Sequence, residues 1–211
     1  MTHPPSAIRH PQSFRPVIGL LGGVASGKSL VASQFAELGC AVVDADRVGH
    51  ELLCEPSIRD ALRERFGPGI LDPATGQVDR RRLGEVVFAD PVKLQALESV
   101  VHPELWRRVT GAVEAARRGD APAVVLDAAL ILEKGLDTLC NVLVYIEVPE
   151  GTRQTRAGQT RGWDPQEVTR REAAQVSLKT KQNRADYIVD NSTSPEHTLE
   201  QVRTILSCLV K

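Results

Sequence analysis

The segment GGVASGKS, residues 22–29, constrains the fold of this chain more than any other stretch. It follows the apolar run VIGLL and precedes KSLVASQFAEL, in which apolar residues recur at helical spacing. Gly22-x-x-x-x-Gly27-Lys28-Ser29 matches the phosphate-loop pattern in full, with the preceding strand and following helix that this pattern requires. Glycines let backbone N–H groups approach a phosphate, and a helix N-terminus adds partial positive charge. The sequence therefore predicts a nucleotide-binding α/β domain rather than an ordinary glycine-rich turn.

Five short apolar runs predict five buried parallel strands. They are VIGLL (17–21), CAVVD (40–44), AVVLD (123–127), NVLVYIEV (141–148) and DYIVD (186–190). Helical segments separate these runs, which is the pattern of a doubly wound parallel sheet. Hydrophobic residues make up 42% of the chain and aromatic residues only 4%, so we expect an aliphatic core, as parallel sheets usually have.

A long helical segment separates the second and third strands. We interpret its central part, about residues 55–118, as a helical insertion that holds a second substrate. Within it, two helical stretches meet at His102, which precedes a proline. Residues 1–15 are rich in proline and predict a flexible arm, whereas residues 16–211 form the main domain.

An arginine-rich segment, about residues 150–175, is predicted to form a helix–loop–helix that acts as a lid. We expect breaks at Gly158 and Gly162, and a new helix with Asp164 as N-cap and Pro165 in its first position. A mobile cover of this kind is typical of phosphoryl-transfer enzymes.

Charge and composition exclude several classes of protein. The net charge is −1, from 26 basic and 27 acidic residues, so nucleic-acid binding is not expected. No stretch approaches the ~20 apolar residues of a membrane span, and the N-terminal residues lack the apolar core of a secretory signal. The four cysteines form no CxxC motif, which indicates reduced thiols and a cytoplasmic protein. Nothing in the sequence indicates an obligate protein partner.

Two carboxylates follow the second strand, in the segment DADRVGH. The carboxyl ends of parallel strands face the ligand crevice, so Asp44 or Asp46 could accept a proton from an attacking hydroxyl. Alternatively, Asp44 caps the next helix and Asp46 is a solvated acid in its first turn. The phosphate loop favours a catalytic role for Asp46 and leaves Asp44 open. Asp46 to Gly49 also matches the DxxG motif of GTPases, but the chain has no NKxD motif, so we reject that interpretation.

Other candidates follow from phosphoryl-transfer chemistry. Lys28 is expected to reach the outer phosphates, and the Ser29 hydroxyl to bind Mg²⁺. Asp127, at the end of the third strand, is a second metal candidate, unless it is a strand-end cap. Arg153, Arg156 and Arg161 of the lid could stabilise charge on the transferred group. We favour Arg161, beside Gly162, and interpret Arg153 as part of a solvated helix face.

In their order along the chain, these motifs resemble the dephospho-CoA kinase family over about residues 17–210. The segments that carry the resemblance are IGLLGGVASGKSLVASQFAELG, VVDADRVGHELL, VDRRRLGEVVFAD, LESVVHPEL, DAALILEKGLD, RQTRAGQTRG and AAQ…KTKQNRADYIVDNS. The phosphate loop by itself is generic, whereas the ordered set is specific to this family.

The resemblance implies transfer of the γ-phosphate of ATP, with Mg²⁺, to the ribose 3′-hydroxyl of dephospho-CoA. It implies the five-stranded parallel sheet of a P-loop NTPase of the adenylate-kinase-like group, with a helical CoA-binding insertion and a lid. The implied catalytic residues are Asp46 as base, Lys28 and Arg161. The implied ATP-binding residues are Gly22, Gly23, Val24, Ala25, Ser26, Gly27, Lys28, Ser29, Leu30 and Asn191. The implied acceptor-binding residues are Asp44, His50, His102 and Leu130.

The chain departs from the family pattern at two positions. Ala25 stands where the family usually has glycine, which is tolerable if φ stays negative there. Ala129 stands where the family usually has proline, next to Leu130. Two other functions stay open from the residues alone: a kinase of another small metabolite or nucleotide, and a nucleotide sensor without activity. Intact Lys28, Ser29 and Asp46 argue against the sensor.

Overall fold

The structure, a computed structural model, describes residues 15–210; the predicted arm, apart from Arg15, lies outside them. The strands in this range are β1 (Val17–Gly22), β2 (Ala41–Asp44), β3 (Val124–Asp127), β4 (Val142–Glu147) and β5 (Tyr187–Asp190). The α-helices are α1 (Lys28–Glu37), α2 (Ala45–Leu53), α3 (Pro56–Phe66), α4 (Arg80–Phe88), α5 (Pro91–Arg118), α6 (Glu150–Arg161), α7 (Pro165–Ala173), α8 (Leu178–Arg184) and α9 (Pro195–Leu209). Among them, none is both long enough and apolar enough to span a membrane.

The five strands form one parallel sheet in the order β2-β3-β1-β4-β5, which confirms the predicted strands and fold class. Strand β1 is central and every residue of it is buried. It pairs in parallel with β3, where Gly19 is opposite Leu126, and with β4, where Gly22 is opposite Ile146. Aliphatic side chains are buried on both faces of such a sheet, which is why these strands read as unbroken apolar runs.

The chain divides into two compact units, of which the first contains the residues up to Val43 and from Val113 onward. Its core is aliphatic, as predicted. Ile18 of β1, Val125 of β3 and Ile146 of β4 pack in one buried cluster with Phe35 of α1 and Leu206 of α9. The sheet and the helices α1 and α9 thus hold the ends of the strands in fixed positions.

The second unit, Asp44–Ala112, has its own apolar cluster, which includes Leu52, Leu62 and Leu83. The two helical stretches predicted to meet at His102 are one helix, because α5 runs continuously through Pro103. Proline removes a helical hydrogen bond and crowds the preceding turn, at a cost of about 3 kcal/mol. Apolar side chains from both halves of the helix pack into the same cluster, which offsets that cost. These side chains are Leu94, Leu97, Val100, Val101 and Leu105.

Helices α6 and α7 lie in the segment predicted as a lid. The expected break at Gly158 is wrong, since α6 continues to Arg161 and ends at Gly162, which has φ 66°. A glycine inside a helix costs only about 1 kcal/mol, whereas the left-handed conformation at Gly162 ends the helix. Asp164 caps α7 by accepting the Glu167 N–H at 2.7 Å, and Pro165 occupies its first turn, both as predicted.

Candidate active site

The phosphate loop, residues 22–29, connects the end of β1 with the start of α1. The loop turns tightly, with the Ser26 N–H donating to the Gly23 carbonyl at 3.2 Å. Gly27 has φ 88°, in the left-handed region that favours glycine. A side chain there would also overlap the Asn191 side-chain nitrogen. Helix α1 begins at Lys28, directly after the loop, and the first N–H groups of a helix have no acceptor in its own preceding turn.

Asn191, predicted to bind ATP, is hydrogen-bonded to the backbone of the loop. It is 2% exposed, and its Nδ2 donates to the Ser26 carbonyl at 2.8 Å. Its Oδ1 accepts a hydrogen bond from Thr198 of α9 at 3.1 Å. Ser26 itself is buried. The structure thus brings Asn191 and the loop together, with the amide nitrogen on the loop backbone.

Ala25 has φ 56°, so the condition of a negative φ at this position does not hold. A non-glycine residue in this region is strained by about 1–2 kcal/mol. Its methyl group packs with Trp163 against a small apolar cluster formed by Val24, Ala157 of α6 and Val168 of α7. Contact with the lid helices offsets part of the strain, and it explains how a side chain is accommodated here.

The other predicted residues of the loop lie at the start of α1. Lys28 and Leu30 are half-buried, and Ser29 is exposed in the first turn. Asp127, half-buried, ends β3 one residue beyond the pair of Gly19 and Leu126. It therefore lies at the same edge of the sheet as the loop. Across residues 15–210 there is no group of three or more His, Cys, Asp or Glu residues suited to hold a metal alone.

Arg153 is not part of a solvated helix face, and that interpretation is wrong. Its side chain is 5% exposed and forms an ion pair with Glu172 of α7. Its Nε donates to the Val148 carbonyl at 3.2 Å. Glu172 in turn accepts the Val24 N–H at 2.9 Å. The sequence gives no signal for these contacts, because Arg153 is one of several lid arginines and Glu172 is 148 positions from Val24 along the chain.

Arg156 and Arg161 occupy different environments in α6. Arg156 donates to the Asn191 carbonyl at 3.0 Å, and its Nη1 lies 4.0 Å from where a Cβ of Gly27 would be. Arg161 is exposed at the end of the helix, 4.8 Å from the centre of the Trp163 ring. In this conformation Arg156 is the arginine beside the loop, although the sequence favoured Arg161 as the residue that stabilises charge on the transferred group.

The predicted base and most of the predicted acceptor residues belong to the second unit. Asp44 is the N-cap of α2 and accepts the Arg47 N–H at 2.8 Å, as in the capping alternative given from the sequence. Asp46 is exposed in the first turn of α2, and His50 is exposed in its last turn. His102 is half-buried in α5. Its ring is edge-on to that of Trp106, and the ring centroids are 6.4 Å apart.

Leu130 is the one predicted acceptor residue that belongs to the first unit. It is half-buried in the turn after β3, where its carbonyl accepts the Lys134 N–H at 3.0 Å. Glu133 of the same turn accepts the Val176 N–H at 2.7 Å. The turn after β3 is thereby fastened to the segment that connects α7 with α8.

The chain is similar to known proteins over most of its length. The family model described as "Dephospho-CoA kinase" matches residues 16–197. A dephospho-CoA kinase from Symbiobacterium thermophilum is 42% identical over 88% of this chain and 78% of the relative. A dephospho-CoA kinase from Leifsonia xyli is 39% identical over 88% of this chain and 94% of the relative. A crystal structure of a Thermus thermophilus protein superimposes with a TM-score of 0.80 and 32% identity, covering 93% of this chain and 99% of that one.

Proposed function

The chain belongs to the dephospho-CoA kinase family, and we propose how its residues transfer a phosphoryl group from ATP to dephospho-CoA. The reaction is the last step of CoA biosynthesis. The observation that carries the proposal is the match to the family over residues 16–197, together with a complete phosphate loop between β1 and α1. The acceptor atom is proposed to be the ribose 3′-hydroxyl.

The phosphate loop and Lys28 bind the phosphates of ATP. Backbone N–H groups at the start of α1 donate to the phosphate oxygens, and the positive end of the helix dipole adds to this attraction. The ammonium group of Lys28 neutralises charge on the outer phosphates. Support for this comes from the left-handed Gly27 and from Asn191, which holds the loop backbone in place.

ATP-dependent phosphoryl transfer of this class uses a divalent metal, and we propose Mg²⁺ bound by Ser29 and Asp127. A hydroxyl and a carboxylate are hard oxygen donors, and Mg²⁺ commonly takes one or two protein ligands with phosphates and water completing its shell. The exposed position of Ser29 at the start of α1 fits this role. When bound, the ion would neutralise negative charge on the phosphate oxygens.

Asp46 is the proposed base that orients the acceptor hydroxyl and accepts its proton. Its exposed position in the first turn of α2 leaves the carboxylate within reach of a substrate. Asp44, His50, His102 and Leu130 are proposed to bind the acceptor. The dual role of Asp44 is compatible with its N-cap bond, because a carboxylate has two oxygens.

Arg156 and Arg161 are proposed to act at different stages. Arg156 lies beside the phosphate loop and is suited to contact bound ATP without further movement. Arg161, exposed at the tip of the lid, would reach the transferred phosphoryl group when the tip closes. Closure would also exclude water, which otherwise hydrolyses ATP.

The test is ADP release coupled to dephospho-CoA as acceptor, compared between the wild type and Asp46→Asn. We expect Asp46→Asn to bind ATP normally and to lose at least ~100-fold in kcat, since general base catalysis contributes that much. Near wild-type turnover in the variant would refute the role of Asp46. Activity on a nucleoside monophosphate with none on dephospho-CoA would refute the acceptor, and ATP binding with no transfer at all would indicate a sensor.

The cellular location is proposed to be the cytoplasm. Support comes from the four cysteines, all of which are free thiols. That the chain acts without an obligate protein partner stays a prediction from the sequence.

A further inference from the structure

A largely buried ion pair contacts the backbone of the phosphate loop. Arg153 of α6 and Glu172 of α7 form it, and their side chains are 5% and 19% exposed. Charges are costly to remove from water, and a buried pair often stabilises a fold no better than apolar residues of the same size. The pair of Glu167 with Arg171 in the same helix carries less of that cost, because the Arg171 side chain is 48% exposed. The contacts of this pair with the loop are therefore where a role beyond joining two helices would lie.

Both members of the pair contact the loop backbone. Glu172 Oε1 accepts the Val24 N–H at 2.9 Å, and Arg153 Nη1 lies 3.5 Å from the Val24 carbonyl oxygen. At Gly23, a Cβ would lie 2.6 Å from Arg153 Nη1 and 2.7 Å from Glu172 Oε1, so a larger residue would displace the pair from its present position. Two successive loop residues are thus fitted against these two side chains.

The contact adjoins the strained part of the loop. Ala25, with φ 56°, directly follows Val24. Strained backbone persists only where its surroundings hold it in place, and it concentrates at sites where geometry matters for function. Glu172 accepts the N–H of the Gly23–Val24 peptide group, and Asn191 donates to the carbonyl of the Ser26–Gly27 group, so the loop is held at one peptide group beyond Ala25's own on each side.

We propose that Glu172, oriented and neutralised by Arg153, is a positioning residue for ATP. By accepting the Val24 N–H, it selects the loop conformation in which the later N–H groups, at the start of α1, meet the phosphates. Arg153 compensates the carboxylate, which would otherwise repel a triphosphate bound at the loop. The inference rests on the proposed function, since it concerns the loop that binds ATP in that reaction.

The alternative is that the pair only holds the lid helices together. Two double variants separate these roles, because they differ only in the acceptor that Val24 meets. Arg153→Met with Glu172→Met removes both charges and the acceptor, whereas Arg153→Met with Glu172→Gln removes both charges and keeps an acceptor oxygen. Neither leaves an unpaired buried charge, which is the usual cause of severe destabilisation.

The measurement is the equilibrium dissociation constant for ATP with Mg²⁺, together with KM for each substrate and the thermal unfolding midpoint, on the full chain. We expect the Met/Met variant to bind ATP about tenfold more weakly, which corresponds to the loss of one charge-assisted hydrogen bond. Its KM for dephospho-CoA should stay within about twofold of the wild type. The Met/Gln variant should recover ATP binding to within about threefold. The matched control is Glu167→Gln, in the same helix but away from the loop, which should bind ATP like the wild type.

Equal ATP affinity in the two double variants, whether unchanged or equally reduced, would overturn the proposal and leave a purely structural role. If the Met/Met variant does not fold, Glu172→Asp replaces it. That variant keeps the charge beside Arg153 but shortens the side chain by one methylene, so ATP binding should again weaken about tenfold. Unchanged ATP binding in Glu172→Asp would likewise overturn the proposal. If the wild type does not phosphorylate dephospho-CoA, the proposed acceptor fails, but the ATP-binding comparison still decides the role of Glu172.

Discussion

Gly27→Ala is the perturbation whose effect can be worked out most fully from the structure. The added methyl group would be placed on a residue with φ 88°, where an L-residue is strained by about 1–2 kcal/mol. It would also overlap the side-chain nitrogen of Asn191, which must then move. Movement of that amide breaks its 2.8 Å hydrogen bond to the Ser26 carbonyl, in a buried environment, at about 1–3 kcal/mol. The sum is about 2–5 kcal/mol of lost unfolding free energy.

The two contributions can be separated with a double-mutant cycle. In an Asn191→Ala background no amide stands in the way, so Gly27→Ala should cost only the backbone strain of about 1–2 kcal/mol. The coupling free energy between the two positions should therefore be about 1–3 kcal/mol. Gly135→Ala is the matched control, since Gly135 has φ 69° but nothing within 4 Å of its would-be Cβ. It should show the strain alone and no coupling to Asn191.

Urea unfolding at equilibrium, analysed by linear extrapolation, supplies the free energies. A comparison of m-values checks that the denatured state is unchanged. Additivity of Gly27→Ala and Asn191→Ala to within about 0.5 kcal/mol would refute the close approach of the amide to the loop. A Gly135→Ala cost as large as that of Gly27→Ala would refute the separation into strain and overlap.

Three further predictions follow from the site and the core. Arg156→Met should raise KM for ATP about tenfold, since Arg156 lies beside the loop, whereas Arg161→Met should lower kcat with little change in KM. The reverse pattern in steady-state kinetics would contradict the assigned stages. Ala25→Gly should change the unfolding free energy by less than about 1 kcal/mol, because relief of backbone strain is offset by the lost methyl contact and by a freer unfolded chain. Urea unfolding measures this change. A loss of stability above about 2 kcal/mol would contradict the inference that Ala25 is strained. Burial raises the pKa of the Cys40 thiol to about 11 and that of Cys140 to about 12, so two of the four thiols should react with a disulfide reagent at pH 8 in the folded protein and all four in urea. Rapid reaction of more than two in the folded state would show that these thiols are accessible.

The sequence alone determined the features that depend on neighbours along the chain. Apolar runs gave the five strands, because a buried parallel strand is apolar throughout. The glycines and Lys28 gave the phosphate loop, because backbone approach to a phosphate requires that spacing. Asp164 gave the start of α7, because an N-cap bonds a residue only three positions away. In each case, the signal and the structure that it predicts lie within one short segment.

Tertiary structure decided what depends on residues far apart. Glu172 bonds the N–H of Val24, which precedes it by 148 positions, so nothing beside either residue announces the contact. Ala25 takes a left-handed conformation against its own preference, and its methyl group packs against residues of the two lid helices, far along the chain. Helix α5 continues through Pro103 because both of its halves bury side chains in one cluster. Local helix preferences amount to about 1 kcal/mol or less for most residues and about 3 kcal/mol for proline, and packing between distant segments is strong enough to override them.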